Sequence, residues 1–412
     1  MKSLTIFKIS VLISTLSIGS AAYCDVVTDW NAAALDLIRA NGTPPPIASR
    51  ALAILHAAIY DAVNGISRTH EAYLVQSAVP ASASKEAAAS AAAHKVLVTL
   101  FPMNAPSFDD LNATTLAAIS NGPHKTHGIA WGESVAAQIL ALRANDGSNA
   151  TVAPPSDSGP GFWQPTPPQF APYVLPQWGF VIPFAMPTGH SFRPSGPPAL
   201  GSGKYLSDLN EVKALGAQIG STRTPEQSLI ALFWADGAGT ETPPGHWNSI
   251  AQEVGTARGN TIEQNARLYA LLNIAMADAA VCAWDAKYSY DFWRPVTAIR
   301  STSDPTWSSF IITPPFPDYV SGHSTFSGAA STVLAMFYGT DNIAFSTGSD
   351  FLPGVIRGFT TFSAAASEAA ASRLYGGIHF RSANEDGLAS GIAIGEWTVT
   401  HYMQRKGNRS RR

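Results

Sequence analysis

Three short segments carry side chains suited to holding and transforming an oxyanion. In Pro314 to Phe326, PPFPDYVSGHSTF, the triplet Ser321-Gly322-His323 stands where a loop passes into a helix. A helix start leaves free backbone N–H groups and a positive dipole end, both of which favour an anion. Ser321 suits the N-cap, Gly322 admits close backbone approach, and His323 titrates near neutrality. Lys287 and Arg294 lie seven residues apart in KYSYDFWRP, so one continuous helix would project both from one face, about 10 Å apart. With Trp284, Phe292 and Trp293 beside them, two such cations are costly to bury unless an anion lies between. Ser372-Arg373 closes a helix, and Gly376-Gly377 lets the chain fold back so that His379 reaches the same place as Arg373. Arginine offers a planar fork to oxyanion oxygens, and imidazole offers a ligand or a nucleophile. Taken singly, each segment also fits a plain structural role: a capped helix, two surface cations, a histidine flanked by glycine.

Together, in order and spacing, they resemble the signature shared by vanadium-dependent haloperoxidases and type 2 phosphatidic acid phosphatases. That signature runs Lys, six residues, Arg-Pro; then Pro-Ser-Gly-His; then Ser-Arg, five residues, His, three residues, Asp. Lys287, Arg294, Pro295, Ser321, Gly322, His323, Ser372, Arg373 and His379 match it, and the resemblance spans Trp284 to Gly387. The chain departs from the pattern twice: Val320 stands for the proline before Ser321, and Ala383 for the closing Asp. In a phosphatase that Asp orients the nucleophilic His, so its role here is expected to pass to Glu385, Asp386 or a backbone carbonyl, or to be absent.

The resemblance implies an all-α fold of two four-helix bundles with long Pro/Gly-rich loops, and a vanadate cofactor bonded to His379. Lys287, Arg294, Arg373, the Ser321 hydroxyl and the Gly322 N–H would hold the oxyanion, and His323 would be the acid/base that deprotonates hydrogen peroxide. Lys287 would polarise the bound peroxide for attack by a halide ion, giving hypohalous acid. Trp284 and Phe316 resemble the aromatics beside the halide pocket of chloroperoxidase-type members. The partners implied are hydrogen peroxide and a halide: iodide or bromide, with chloride not excluded. The same residues would also serve a secreted acid phosphatase with His379 as nucleophile and His323 as general acid, or a non-catalytic oxyanion-binding protein. Buried arginines need compensation, and Asp236, expected to pair with Arg373, and Asp291 are the candidates.

The elements that must position these groups are helical. Across 412 residues, with net charge −3 and 13% charged residues, no charge-driven binding to nucleic acid or a membrane surface is implied. Ala-rich runs and apolar spacing predict helices over 29–40, 46–67, 84–100, 108–119, 129–144, 207–219, 224–235, 246–254, 261–299, 324–338, to about 374, and 383–402. His56 and Tyr60 read as core polar residues, and His124 with His127 as a pair in a loop. Residues 1–24, with Lys2 and Lys8 before an apolar run and small residues after it, read as an export signal, which places the protein in the periplasm or outside the cell. With Cys24 and Cys282 its only cysteines, no disulfide framework is expected. Beyond that segment no uninterrupted apolar run suggests a membrane span. The rest divides into an N-terminal helical half (25–146), a Pro/Gly/aromatic-rich crossover (147–203), a C-terminal half with the site (204–404) and a solvated basic tail (405–412). A homo-oligomer stays open.

Overall fold

The computed structural model describes residues 25–77, 79–80 and 82–407, so the expected export signal and the last five residues lie outside it. Among the described residues the fold is all-α apart from one small sheet. The first group comprises α1 (Val26–Asn41), α2 (Pro45–Ser67), α3 (Lys85–Leu100), α4 (Ala105–Ala117) and α5 (Pro123–Arg143). After the crossover come α6 (Gly203–Leu215), α7 (Pro225–Phe233), α8 (Thr242–Arg258), α9 (Ile262–Tyr290) and α10 (Pro295–Thr302). The chain closes with α11 (Gly322–Tyr338), α12 (Phe362–Tyr375) and α13 (Arg381–His401). Between α11 and α12, where a loop is expected, β1 (Phe345–Gly348) pairs antiparallel with β2 (Ile356–Phe359). α5 begins at Pro123, so His124 and His127 occupy its first two turns and not a loop.

Local chemistry sets the helix starts. Thr224 and Thr261 each cap a helix through a reciprocal box with the Gln three residues on, satisfying two orphan backbone donors apiece. Pro225 adds a preset φ at the first position of α7.

α9 is the centre of the molecule. It packs against α2 on one side and against α11 and α13 on the other, while α3 is held between α2 and α5. By length and hydropathy α9 could cross a membrane, yet 94% of its most apolar window is buried within the protein, as in a core helix. Small residues allow its neighbours to approach closely. A Cβ at Gly391 of α13 would overlap the Thr325 carbonyl of α11, so glycine is required where these two helices cross.

Up to Gly203, where α6 begins, the crossover 147–203 contains no regular element beyond a single 3₁₀ turn, Trp178–Phe180. Trp163, Trp178 and Phe184 are buried, whereas Phe170 and Phe180 are exposed. Asp278 of α9 fastens it: its carboxylate accepts the N–H groups of Phe184, Ala185 and Met186 at 2.6, 2.8 and 2.7 Å. Asp278→Ala leaves those three donors buried without an acceptor, and a loss of about 3 kcal/mol or more in unfolding free energy is expected by denaturant titration. An unchanged midpoint would show that the crossover holds without this anchor.

The described start of the basic tail, 405–407, is less free than its composition suggests. Arg405 forms an isolated antiparallel bridge with His70, and the Lys406 N–H donates to Thr69 O at 3.1 Å. Backbone pairing ties these residues down while their side chains stay in solvent.

Candidate active site

Lys287 and Arg294 do not share a helix. α9 ends at Tyr290, where Asp291 takes a left-handed conformation (φ 44°) and its N–H closes on Lys287 O at 2.9 Å. Residues 291–293 instead lie against neighbouring loops: Trp293 N–H donates to Gly161 O at 2.9 Å, and Asp318 N–H to Phe292 O at 2.9 Å. Arg294 then occupies the N-cap position of α10 with Pro295 behind it. A helix-periodic pattern conceals this break, because Asp is among the few residues that enter the left-handed region at small cost. The two cations therefore meet from separate elements, around one loop.

That loop, 316–318, turns successive carbonyls toward them. Lys287 Nζ donates to Pro317 O (2.8 Å) and Asp318 O (3.1 Å), and Arg294 Nε to Phe316 O (2.7 Å). Arg294 Nη1 donates to Ile378 O (2.7 Å) and to His379 Nε2 (3.1 Å). Arg373 Nη1 donates to Trp234 O at 2.6 Å. Lys287 and Arg294 have no exposed surface and Arg373 is 2% exposed, so these are interior charges. Arg294 Nη2, Arg373 Nε and His323 Nε2 are buried with no partner at all.

The expected positions of the remaining groups follow from helix ends. Ser321 caps α11, its oxygen 3.4 Å from the Ser324 amide, while the Ser324 hydroxyl donates to it at 2.9 Å. Gly322 and His323 form the first turn of α11. Past the end of α12, Gly377 takes φ +78° against the backbone of Gly216, a conformation and a contact closed to any residue with a Cβ. The turn lets Ile378 N–H reach Arg373 O at 3.1 Å and delivers His379 beside Arg294.

Charge couples the group into one site. Burial, then Arg294, Lys287, Arg373 and His323, hold His379 well below the ordinary histidine range. Burial, then Arg373, does the same to His323, whose ring bonds the Ala235 carbonyl. Both imidazoles are therefore held neutral at neutral pH; Nε2 of His379 accepts from Arg294 Nη1, and Nε2 of His323 has no partner. Burial also pushes Arg373 down to about 9 and Arg294 to about 10, and lowers Lys287 strongly, with the neighbouring Arg294 adding to it. Mutual repulsion of this kind is relieved by an anion.

One functional residue escapes sequence reasoning. His379 Nδ1 lies 3.0 Å from Asp318 Oδ1, an ion-pair distance whose angle falls outside hydrogen-bond geometry. Asp318 is fully buried; desolvation raises its carboxyl to about 7 against the pull of Arg294 and Lys287. The role expected of Glu385 or Asp386 passes to neither. Glu385 reaches Lys204 (3.5 Å) and Arg381 (3.8 Å), and Asp386 accepts the Tyr319 hydroxyl at 2.7 Å. The one signal in the sequence is an acid inside PPFPDYVSGH, three residues ahead of Ser321.

Asp236 also differs from expectation. Its oxygens lie 3.3 Å from His246 Nδ1, so it pairs with that histidine and acts on Arg373 only through its field. Asp291 is taken by the Tyr173 hydroxyl, at 2.8 and 3.0 Å to its two oxygens, and by neither arginine. The aromatics do converge: Trp284 and Phe316 are 5.0 Å apart between ring centroids, and Lys287 Nζ stands 4.8 Å from the Phe316 ring and 5.9 Å from Trp284.

Known proteins resemble this chain in sequence and in fold. Residues 267–407 match the family described as the VCPO second helical-bundle domain. A vanadium chloroperoxidase from Curvularia inaequalis is 27% identical over 403 residues, covering 75% of this chain and 65% of its own length. The crystal structure of a bacterial vanadium-dependent iodoperoxidase superposes with a TM-score of 0.85 at 29% identity, covering 93% of this chain and 97% of that one. In sequence and in fold the chain is similar to the vanadium haloperoxidases. A holo-type bacterial vanadium-dependent chloroperoxidase shares the haloperoxidase fold at a TM-score of 0.72 and 18% identity, covering 87% of this chain and 92% of its own. The present chain thus spans about two thirds of the Curvularia protein and nearly all of the iodoperoxidase.

Proposed function

We propose that this haloperoxidase-family chain binds vanadate and uses hydrogen peroxide to oxidise a halide, iodide or bromide, to hypohalous acid. The observation that carries the reading is the set of buried donors around His379: Arg294 Nη2 and Arg373 Nε, unpartnered, with Lys287 beside them. A tetrahedral oxyanion satisfies such donors, and a metal oxyanion additionally uses the neutral Nε2 of His379 as a ligand. The residues present therefore fit vanadate. Lys287, Arg294, Arg373, Ser321 and the Gly322 N–H would hold its oxygens, and His379 its metal. When bound, vanadium(V) supplies Lewis acidity without a change of oxidation state.

The chain supplies the rest. His323, anchored to the Ala235 carbonyl and neutral, is placed to take a proton from hydrogen peroxide on Nε2 and to return it to the departing oxygen. Lys287 is fixed by two carbonyls and concentrates positive charge where electron density must leave the attacked oxygen. Asp318 faces Nδ1 of His379 at 3.0 Å and favours the proton there, so that Nε2, which accepts from Arg294 Nη1, would be the nitrogen that turns to a metal. Trp284 and Phe316 form the apolar flank from which halide approaches Lys287. The iodoperoxidase likeness, nearly full-length in both chains, is the support for iodide.

The test is a paired assay. Protein loaded with orthovanadate and freed of excess is followed for iodide and bromide oxidation by hydrogen peroxide, beside phosphate-ester hydrolysis by the unloaded form. Vanadate-dependent oxidation suppressed by phosphate is the expected result. Ester hydrolysis inhibited by vanadate, with no halide oxidation, would establish the acid-phosphatase reading instead. Asp318→Asn is expected to weaken vanadate retention about 10–100-fold, the range seen when the partner of a metal-bound His is removed. Unchanged retention would remove Asp318 from the site.

A further inference from the structure

The segment 161–174 of the crossover touches the site only indirectly, yet it laces together the two stretches that carry the aromatic flank. At one end it forms an isolated antiparallel bridge, Phe162 with Phe292, with Trp163 N–H donating to Asp291 O at 2.8 Å and Trp293 N–H to Gly161 O at 2.9 Å. At the other end Val174 is a junction. Its carbonyl accepts Trp284 Nε1 at 3.3 Å and the Tyr288 hydroxyl at 2.6 Å, and its N–H donates to Pro315 O at 3.1 Å. One residue thus fixes the indole of Trp284 and the backbone next to Phe316.

Tyr173 secures that junction. Its hydroxyl bonds both oxygens of Asp291, whose backbone is already committed as the end of α9, and its ring packs between Trp163 (4.1 Å) and Tyr288 (5.6 Å). A bidentate contact to a buried carboxylate restrains both the distance and the rotation of the tyrosine. Among the described residues neither side chain hydrogen-bonds or ion-pairs with His379, Arg294, Arg373 or His323; both are committed to each other. What they share with the site is the placement of Val174, and through it the 5.0 Å gap between Trp284 and Phe316 beside Lys287.

We propose that the Tyr173–Asp291 contact is a positioning latch that sets the width of the Trp284–Phe316 flank and thereby the discrimination between iodide and bromide. The proposal rests on the haloperoxidase reading for its kinetic arm. Halides differ in radius and in the cost of shedding water, so a small change in an apolar flank alters one more than the other. The oxyanion pocket is held by separate bonds and stays as it is.

The experiment uses the full chain as wild type, Tyr173→Phe and Asp291→Asn, the last retaining a carbonyl acceptor for the hydroxyl. Hydrogen exchange of the metal-free protein reads the latch itself: Tyr173→Phe is expected to speed exchange at the Val174 and Trp163 amides by tenfold or more, with Asp291→Asn intermediate. In vanadate-loaded protein, Tyr173→Phe is expected to change the ratio of iodide to bromide kcat/KM by fivefold or more through KM, while vanadate retention stays within twofold. Asp291→Asn should recover part of that ratio. Unaltered exchange, or an unaltered halide ratio with altered exchange, overturns the proposal, as does a parallel loss of vanadate retention and both halide activities, which would mark a merely structural role. Wild-type protein without halide oxidation would instead refute the haloperoxidase reading, with the exchange result still reporting on the contact.

Discussion

His379→Ala is expected to abolish stable vanadate retention and to lower vanadate-dependent halide oxidation on the order of 10²–10³-fold, as for loss of one preorganised transition-state group. Phosphate binding should change little. The reason is that phosphate would draw on the charge and N–H groups of Lys287, Arg294 and Arg373, all of which remain, whereas vanadate would additionally use the Nε2 lone pair that now accepts from Arg294. Removal of the imidazole also strips the buried Asp318 of its neighbour, so His379→Gln, which keeps a polar side chain there, is the companion variant. Equilibrium dialysis of vanadate and phosphate against both variants decides the matter. If the two anions weaken equally, His379 is one donor among several and the metal-ligand role is wrong.

His323→Ala is expected to reduce kcat for halide oxidation about 10²–10⁴-fold, the usual contribution of a positioned acid or base. Vanadate retention should fall by less than tenfold, because Arg373 and the start of α11 stay in place. The imidazole is fastened through the Ala235 carbonyl, leaving Nε2 buried and unpartnered, which suits a group that gains and loses a proton during turnover. Its neutrality in the free protein arises first from burial and then from Arg373; arrival of an anion opposes that second influence and moves the group back toward its ordinary value. Steady-state kinetics with saturating vanadate provide the check. A fall in vanadate retention that accounts for the whole loss of activity would reduce His323 to a binding residue.

The two predictions concern residues that the sequence exposed with different clarity. Ser321-Gly322-His323 was legible because a helix N-terminus is a local event: its cap, its glycine and its first-turn side chain all follow one another in the chain. Arg373 and His379 were legible because Gly376-Gly377 announces a fold-back, and the structure shows Gly377 at φ +78°. Lys287 and Arg294 were recognised as a pair for an incomplete reason. A helix-compatible pattern carries on past Tyr290, and only the left-handed Asp291, held by tertiary hydrogen bonds, ends the helix between them. Asp318 was missed because its partner is 61 residues away, and nothing in a proline-rich loop says which distant imidazole will lie against it. Asp236, expected beside Arg373, faces His246 instead, a choice between two buried neighbours that packing makes.

By itself, then, the chain determined the donor set and the all-α architecture, since capping, apolar spacing and glycine turns act within a few residues. The tertiary structure decided how the charges are balanced: carbonyls of 316–318 on Lys287 and Arg294, Asp318 on His379, Asp278 on the crossover, Asp291 on Tyr173. Burying a charge is tolerable only with a partner at contact distance, and that partner can come from any segment the fold brings near.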